Sequence, residues 1–77
     1  MNADKARIVK EVIISIADRV LHEEPINQYK LRTAAKVIEF LIMGNIANAE
    51  RVLVNFLGWS KEAKRLQDLN ANYYKYE

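Results

Sequence analysis

The stretch that decides the fold is residues 4–22, which read DKARIVKEVIISIADRVLH. Its apolar residues recur every three or four positions, which predicts an amphipathic helix. They form one broad stripe, and Ile14 and Leu21 add a second ridge beyond it. One small domain rarely covers so wide an apolar surface. We therefore predict that the chain forms a homodimer through this helix, with an interface that includes Ile14, Ala17, Val20 and Leu21. The stripe comprises Ile8, Val9, Val12, Ile13, Ile16, Ala17 and Val20.

The rest of the chain continues the helical period without strand-like alternation. Pro25 ends the first helix, and Gly44 and Gly58 each supply the left-handed backbone that closes a helix. Ser60 is a favourable N-cap. Because the connections are short, the sequence predicts an all-α fold, a compact bundle of four helices in antiparallel hairpins. The predicted helices span about 3–23, 28–43, 46–57 and 61–74, in a single domain 1–77 whose residues 75–77 are expected to fray.

The sequence predicts an apolar inner face for each of the three later helices. Trp59 lies in the connection between the third and fourth helices. Trp59 is expected either to cover the core between the third and fourth helices, which we favour, or to be an exposed anchor for a partner. The inner faces comprise Leu31, Ala34, Ala35, Val37, Ile38, Leu41 and Ile42 in the second helix, Ile46, Ala49, Val52, Leu53, Phe56 and Leu57 in the third, and Ala63, Leu66, Asn70 and Tyr73 in the fourth.

Composition narrows the class of protein. The 77 residues contain no cysteine, which excludes disulfides and thiolate metal sites and leaves oligomerisation as the usual source of extra stability. The net charge is +2 and the charged residues are interspersed, so no long-range field for nucleic acid is expected. No apolar run approaches the roughly 20 residues of a membrane span, and no signal-peptide pattern is present. We expect a cytoplasmic protein that does not contact membranes.

Candidate catalytic residues are few. His22 follows Asp18 by one helical turn, but a catalytic metal site normally takes three protein ligands. A cation near a helix C-terminus, interacting with the exposed carbonyls, is the better interpretation of His22. Ser15 and Ser60 have no histidine nearby in sequence, and the two glycines do not form a phosphate loop. We therefore expect that the chain is not an enzyme and that it binds neither a cofactor nor a metal ion.

Aromatic residues mark two candidate surfaces for a larger protein partner. On the second helix, Tyr29, Lys36, Phe40 and Met43 form a ridge opposite the main stripe, and the C-terminal end adds aromatic rings. The main hypothesis is a helical interaction module, an adaptor, small regulator or inhibitor, that occupies a surface on another protein. The small size of the chain and its asparagine and lysine content are also compatible with a mobile-element or viral accessory protein. The further partner-binding candidates are Trp59, Tyr74 and Tyr76.

The turn Leu57-Gly58-Trp59-Ser60 carries the alternative. It resembles the turn of helix-turn-helix DNA-binding proteins, in which an apolar residue, a glycine and a hydroxyl cap join two helices. The resemblance covers about residues 52–69 and implies that the last helix enters the major groove. The alternative is therefore a dimeric DNA-binding regulator. The residues that the resemblance directs toward base edges and phosphates are Lys61, Lys64, Arg65 and Gln67.

Overall fold

The computed structural model describes the backbone of residues 3–23 and 26–75 and the side chains of residues 4–23 and 26–69. Within these residues the chain forms four helices and no strand, which confirms the predicted all-α bundle. The observed helix ends lie within about two residues of the predicted ones. The helices are α1 (Ala3–His22), α2 (Gln28–Ile42), α3 (Ile46–Val52), which continues directly into a π-helical segment (Leu53–Leu57), and α4 (Ser60–Lys75).

The link between α2 and α3 is tight because local hydrogen bonds close one helix and start the next. Gly44 has a φ of +80°, and its amide donates to the carbonyl of Leu41. The amide of Asn45 donates to the carbonyl of Phe40, which completes a Schellman motif. The side chain of Asn45 then accepts a hydrogen bond from the amide of Asn48 and caps α3.

The link between the π-helical segment and α4 consists of Gly58 and Trp59. Gly58 has a φ of +68°, and both its amide and the amide of Trp59 donate to the carbonyl of Leu53. This geometry carries the indole of Trp59 into the core, where it is buried. The prediction that Trp59 covers the core is confirmed. The alternative, that Trp59 is an exposed anchor for a partner, is wrong because a buried ring cannot reach a partner.

The four helices form a closed ring around one core. Within the described residues, α1 packs against α2 and α4, and α3 packs against the other sides of the same two helices. This arrangement places one apolar stripe of every helix inside. The buried apolar residues are Val9, Val12 and Ile16 of α1, Ala34, Val37 and Leu41 of α2, Ile46 and Ala49 of α3, Leu53 and Leu57 of the π-helical segment, and Trp59 with Ala63, Leu66 and Leu69 of α4.

Some residues predicted to face inward are exposed. Leu31 and Ile42 lie on the outside of α2, because a helix in a four-membered ring has only two neighbours and its apolar sector is wider than they cover. Phe56 is also exposed. The wider turn of the π-helical segment changes the rotation after Val52, so Leu53 and Leu57 take the core positions. The predicted inner positions Asn70 and Tyr73 lie outside the described side chains.

Candidate interaction surfaces

The outer side of α1 carries exposed aliphatic residues. Ile14 and Leu21 are 56% and 73% exposed, and Ala17 between them is exposed as well. Residues three and four positions apart share one face of a helix, so these three form a single stripe. Val20 is half-buried and packs against the core, so it borders the stripe and contributes only its outer edge.

The contacts of α1 show which neighbour adjoins this stripe. One flank of α1 contacts α4, through ion pairs of Glu11 with Arg65 and of Arg19 with Glu62. The opposite flank carries Ile13 and the half-buried Val20. Because α2 is the other neighbour of α1 within the described residues, this second flank faces α2. The exposed stripe therefore begins beyond this flank at Ala17 and extends over the outer side of α1 to Leu21 and Ile14.

Helix α2 adds a second exposed stripe. Its flank with Tyr29 and Thr33 faces α3 and the π-helical segment. Successive residues of a helix are rotated by about 100°. By this rotation, the opposite flank carries the half-buried Ile38 and, farther from the core, the exposed residues Leu31, Ala35 and Ile42. That flank faces α1. We name the combined surface the outer apolar face, and it consists of Ile14, Ala17, Leu21, Leu31, Ala35 and Ile42.

A shallow open groove lies on the other side of α2. We name it the aromatic groove. Its two exposed rings are Tyr29 and Phe56, which are 60% and 55% exposed and come from different elements. Lys36 is one of its lining residues, and its Nζ lies 5.6 Å from the centre of the Phe40 ring and 3.8 Å from a carboxylate oxygen of Glu39. The groove is lined by Tyr29, Arg32, Thr33 and Lys36 of α2, by Val52 of α3 and by Phe56.

The residues predicted to bind a partner are therefore only partly brought together. Tyr29 and Lys36 line the aromatic groove, and Phe40 is half-buried beneath Lys36. Met43 is exposed at the end of α2 but does not line the groove. Phe56 and Arg32 belong to this surface and were missed, because the prediction placed Phe56 in the core. The side chains of Tyr74 and Tyr76 lie outside the described residues.

The residues predicted to contact DNA are divided between solvent and internal contacts. Lys61 and Lys64 are exposed and have no ion-pair partner among the side chains that the structure describes. An Nη atom of Arg65 is 2.9 Å from the Glu11 carboxylate. The Gln67 amide donates to Glu50 at 2.8 Å. Half of this predicted set is therefore engaged within the chain.

A buried ion pair that no sequence pattern signals joins α1 to α4. The Nε of Arg19 donates to both carboxylate oxygens of Glu62, at 2.7 and 3.0 Å. Glu62 is buried, and the guanidinium of Arg19 lies 5.3 Å from the centre of the Trp59 ring. The partners are 43 residues apart, so no spacing within one helix signals the pair.

His22 lies at the exposed C-terminal end of α1. Its Nδ1 is 2.8 Å from the carbonyl oxygen of Asp18 and 3.1 Å from the Asp18 carboxylate. His22 therefore contacts the end of its own helix.

Over residues 4–23 and 26–69, no group of three or more His, Cys, Asp or Glu side chains is arranged to hold a metal ion. No helix in the described part of the chain combines the length and apolar character needed to cross a bilayer.

Comparison of the chain with protein-family models, with curated proteins and with solved structures finds no match. A bundle of helices is compatible with many unrelated functions. The function is therefore inferred from the chemistry of the outer apolar face, the aromatic groove and the α4 surface.

Proposed function

We propose that this chain is a small non-enzymatic interaction module of the cytoplasm that dimerises through the outer apolar face. In this proposal it acts as an adaptor, regulator or inhibitor by occupying a surface on a larger protein. The observation that carries the proposal is the exposure of four large aliphatic side chains, two on α1 and two on α2: Ile14, Leu21, Leu31 and Ile42. Contiguous exposed apolar patches mark interaction sites in soluble proteins.

The area of this face supports a second copy of the chain as its occupant. The four aliphatic side chains are 44–73% exposed, which corresponds to on the order of 400 Å² of apolar surface. A standard interface buries about 800 Å² per partner, of which somewhat more than half is apolar. The face therefore supplies the apolar area that a stable dimer needs.

The layout of the face also supports self-association. In the predicted antiparallel arrangement of α1 and α2, Leu21 and Leu31 lie near the connection between the two helices, and Ile14 and Ile42 lie farther from it. Ala17 and Ala35 lie between these two ends and leave a low centre. A twofold axis through that centre places each aliphatic end against the opposite end of the partner. The expected dimer therefore packs four helices with aliphatic residues against aliphatic residues.

Sedimentation velocity tests the proposal. The wild-type chain should be a dimer at tens of micromolar, and Ile14→Glu with Leu21→Glu should be a monomer, because two carboxylates per copy would be desolvated in the interface. Far-UV circular dichroism should show unchanged helicity, since both side chains are exposed in one copy.

The matched control is Val54→Glu, to be compared with Ile14→Glu alone. Val54 is a β-branched residue that is 46% exposed in the π-helical segment, away from the outer apolar face. This variant should remain dimeric. A wild-type chain that sediments as a monomer at tens of micromolar would refute the proposed dimer. Equal dissociation by Val54→Glu would refute the proposed face.

DNA binding through α4 is the second candidate, supported by the exposed side chains of Lys61 and Lys64. Arg65 and Gln67 are already engaged by Glu11 and Glu50, which weakens this candidate. If both lysines contact phosphates, Lys61→Ala with Lys64→Ala should reduce the slope of log K against log salt by about 2. A gel with duplex DNA at low salt that shows no shift for the wild-type chain would eliminate it.

A further inference from the structure

We propose that the aromatic groove binds an acidic amphipathic segment of another protein, with apolar side chains between its carboxylates. The inference deepens the proposed function, on which it rests for the existence of a protein partner. The groove is lined by residues from three elements, α2, α3 and the π-helical segment, so the fold assembles it.

The shape of the groove favours a segment of polypeptide over a small molecule. Small-molecule sites enclose most of their ligand, whereas this groove is open to solvent. Tyr29 and Phe56 are more than half exposed on its two sides, with Val52 between α2 and the π-helical segment. Such a surface receives a row of side chains from a helix laid along it. Aromatic rings of this kind are the residues that most often dominate binding energy in interfaces.

The charge of the groove indicates the sign of its partner. Its two charged lining residues, Arg32 and Lys36, are both cations. Arg32 has no ion-pair partner among the described side chains, and Glu39 offsets part of the charge of Lys36 at 3.8 Å. A partner with carboxylates flanking its apolar residues would complement this surface, and an arginine fork binds a carboxylate through two parallel hydrogen bonds.

Single-stranded nucleic acid is the competing occupant, since bases stack on aromatic rings beside cations. The lining favours protein. A nucleic-acid groove follows the backbone with a row of cations, whereas this one has two, and Lys36 is already near a carboxylate. The remaining lining consists of aromatic, aliphatic and hydroxyl groups, and the Thr33 hydroxyl donates to the carbonyl of Tyr29.

The groove and the outer apolar face lie on opposite flanks of α2. Dimerisation therefore leaves the groove open, and the two properties can be tested separately. The binding assay uses both the wild-type chain and the monomeric Ile14→Glu, Leu21→Glu variant. Binding to the groove should be the same in both. If the chain proves monomeric but binds the probe, the dimer proposal fails alone, and if it is dimeric but does not bind, the groove proposal fails alone.

Fluorescence anisotropy is the assay, with a labelled synthetic helix of about 15 residues that carries Leu and Phe along one face and Glu at the positions flanking that face. The expected Kd is roughly 10–100 µM. Phe56→Ala and Arg32→Glu should each weaken binding by roughly tenfold or more. The matched controls, Val54→Ala and Arg51→Glu, change an exposed apolar residue and an exposed arginine outside the groove and should leave the Kd unchanged.

Four outcomes would overturn the inference. The first is no binding of the acidic helix at about 1 mM, a concentration well above the expected Kd. The second is equal binding of the same helix with Gln in place of every Glu. The third is binding of an oligothymidylate probe that Phe56→Ala and Arg32→Glu abolish, which would assign the groove to single-stranded nucleic acid. Equal losses in the two control variants would also reject the site.

Discussion

Replacing Arg19 with methionine should destabilise the fold more than replacing Glu62 with methionine, because the two charges differ in burial. The side chain of Glu62 is 2% exposed, whereas that of Arg19 is 39% exposed. Without Arg19, a carboxylate remains inside the protein with no cation beside it. Without Glu62, the guanidinium can still be solvated. The asymmetry between the two variants is therefore the informative quantity.

The size of the effect follows from the contacts. Removing one partner of a buried pair costs about 3–5 kcal/mol, and the partial exposure of Arg19 moves the expected value to the lower end. Loss of Arg19 also removes its stacking on Trp59, worth about 0.5–1 kcal/mol. We expect about 3 kcal/mol for Arg19→Met and about 1 kcal/mol for Glu62→Met. For a chain of this length, 3 kcal/mol corresponds to a Tm lower by roughly 12–24 °C.

Urea unfolding of both single variants and of the double variant measures these free energies. Trp59 is the sole tryptophan and is buried, so its fluorescence reports on this interface directly. All variants are compared at one protein concentration, because dimerisation would add to the apparent stability. Arg65→Met is the matched control, since the Arg65 and Glu11 side chains are both 48% exposed and such pairs contribute under about 1 kcal/mol. If Arg19→Met costs no more than Arg65→Met, the reasoning from burial is wrong.

Three further substitutions have expected effects on the free energy of unfolding, each measured by urea denaturation. Gly58→Ala should cost about 1–2 kcal/mol, because a Cβ at φ +68° is strained although it would meet no atom within 4 Å; Gly58→Asn should cost less. Asn27→Ala should cost about 1 kcal/mol, because the Asn27 side chain accepts from the amide of Lys30 and caps α2; an unchanged stability would contradict the cap. Leu53→Ala should cost about 2–5 kcal/mol, since this side chain is fully buried, whereas the exposed Val54→Ala should change stability by less than about 0.5 kcal/mol.

The parts of the fold that sequence could predict are those fixed by local physics. The 3.6-residue period of α1 and the left-handed glycines Gly44 and Gly58 specify helices and their ends from a few neighbouring residues. The exposure of Ile14 and Leu21 also followed from the period, because both lie far around the helix from the buried Val12. Their role in a dimer stays a prediction.

The parts that could not be predicted depend on tertiary geometry. Phe56 has the spacing of a core residue, and only the π-helical segment moves it to the surface. Arg19 and Glu62 look like two ordinary surface charges in sequence, and only the packing of α1 on α4 buries the carboxylate. The aromatic groove was incompletely predicted for the same reason, since two of its six lining residues, Val52 and Phe56, come from α3 and the π-helical segment.

The ring arrangement of the helices explains why α2 carries both proposed surfaces. A helix with two neighbours buries one sector, and α2 exposes apolar or aromatic residues on both sides of that sector: Leu31 and Ile42 beside α1, and Tyr29, with the cations Arg32 and Lys36, beside the π-helical segment. A dimer formed through the first flank would present two aromatic grooves, one per copy. Two linked sites bind a partner with two matching segments more tightly than either site alone, by about 10²–10⁴-fold when the spacing fits. Self-association in this protein would therefore strengthen partner binding without adding a single contact inside the groove.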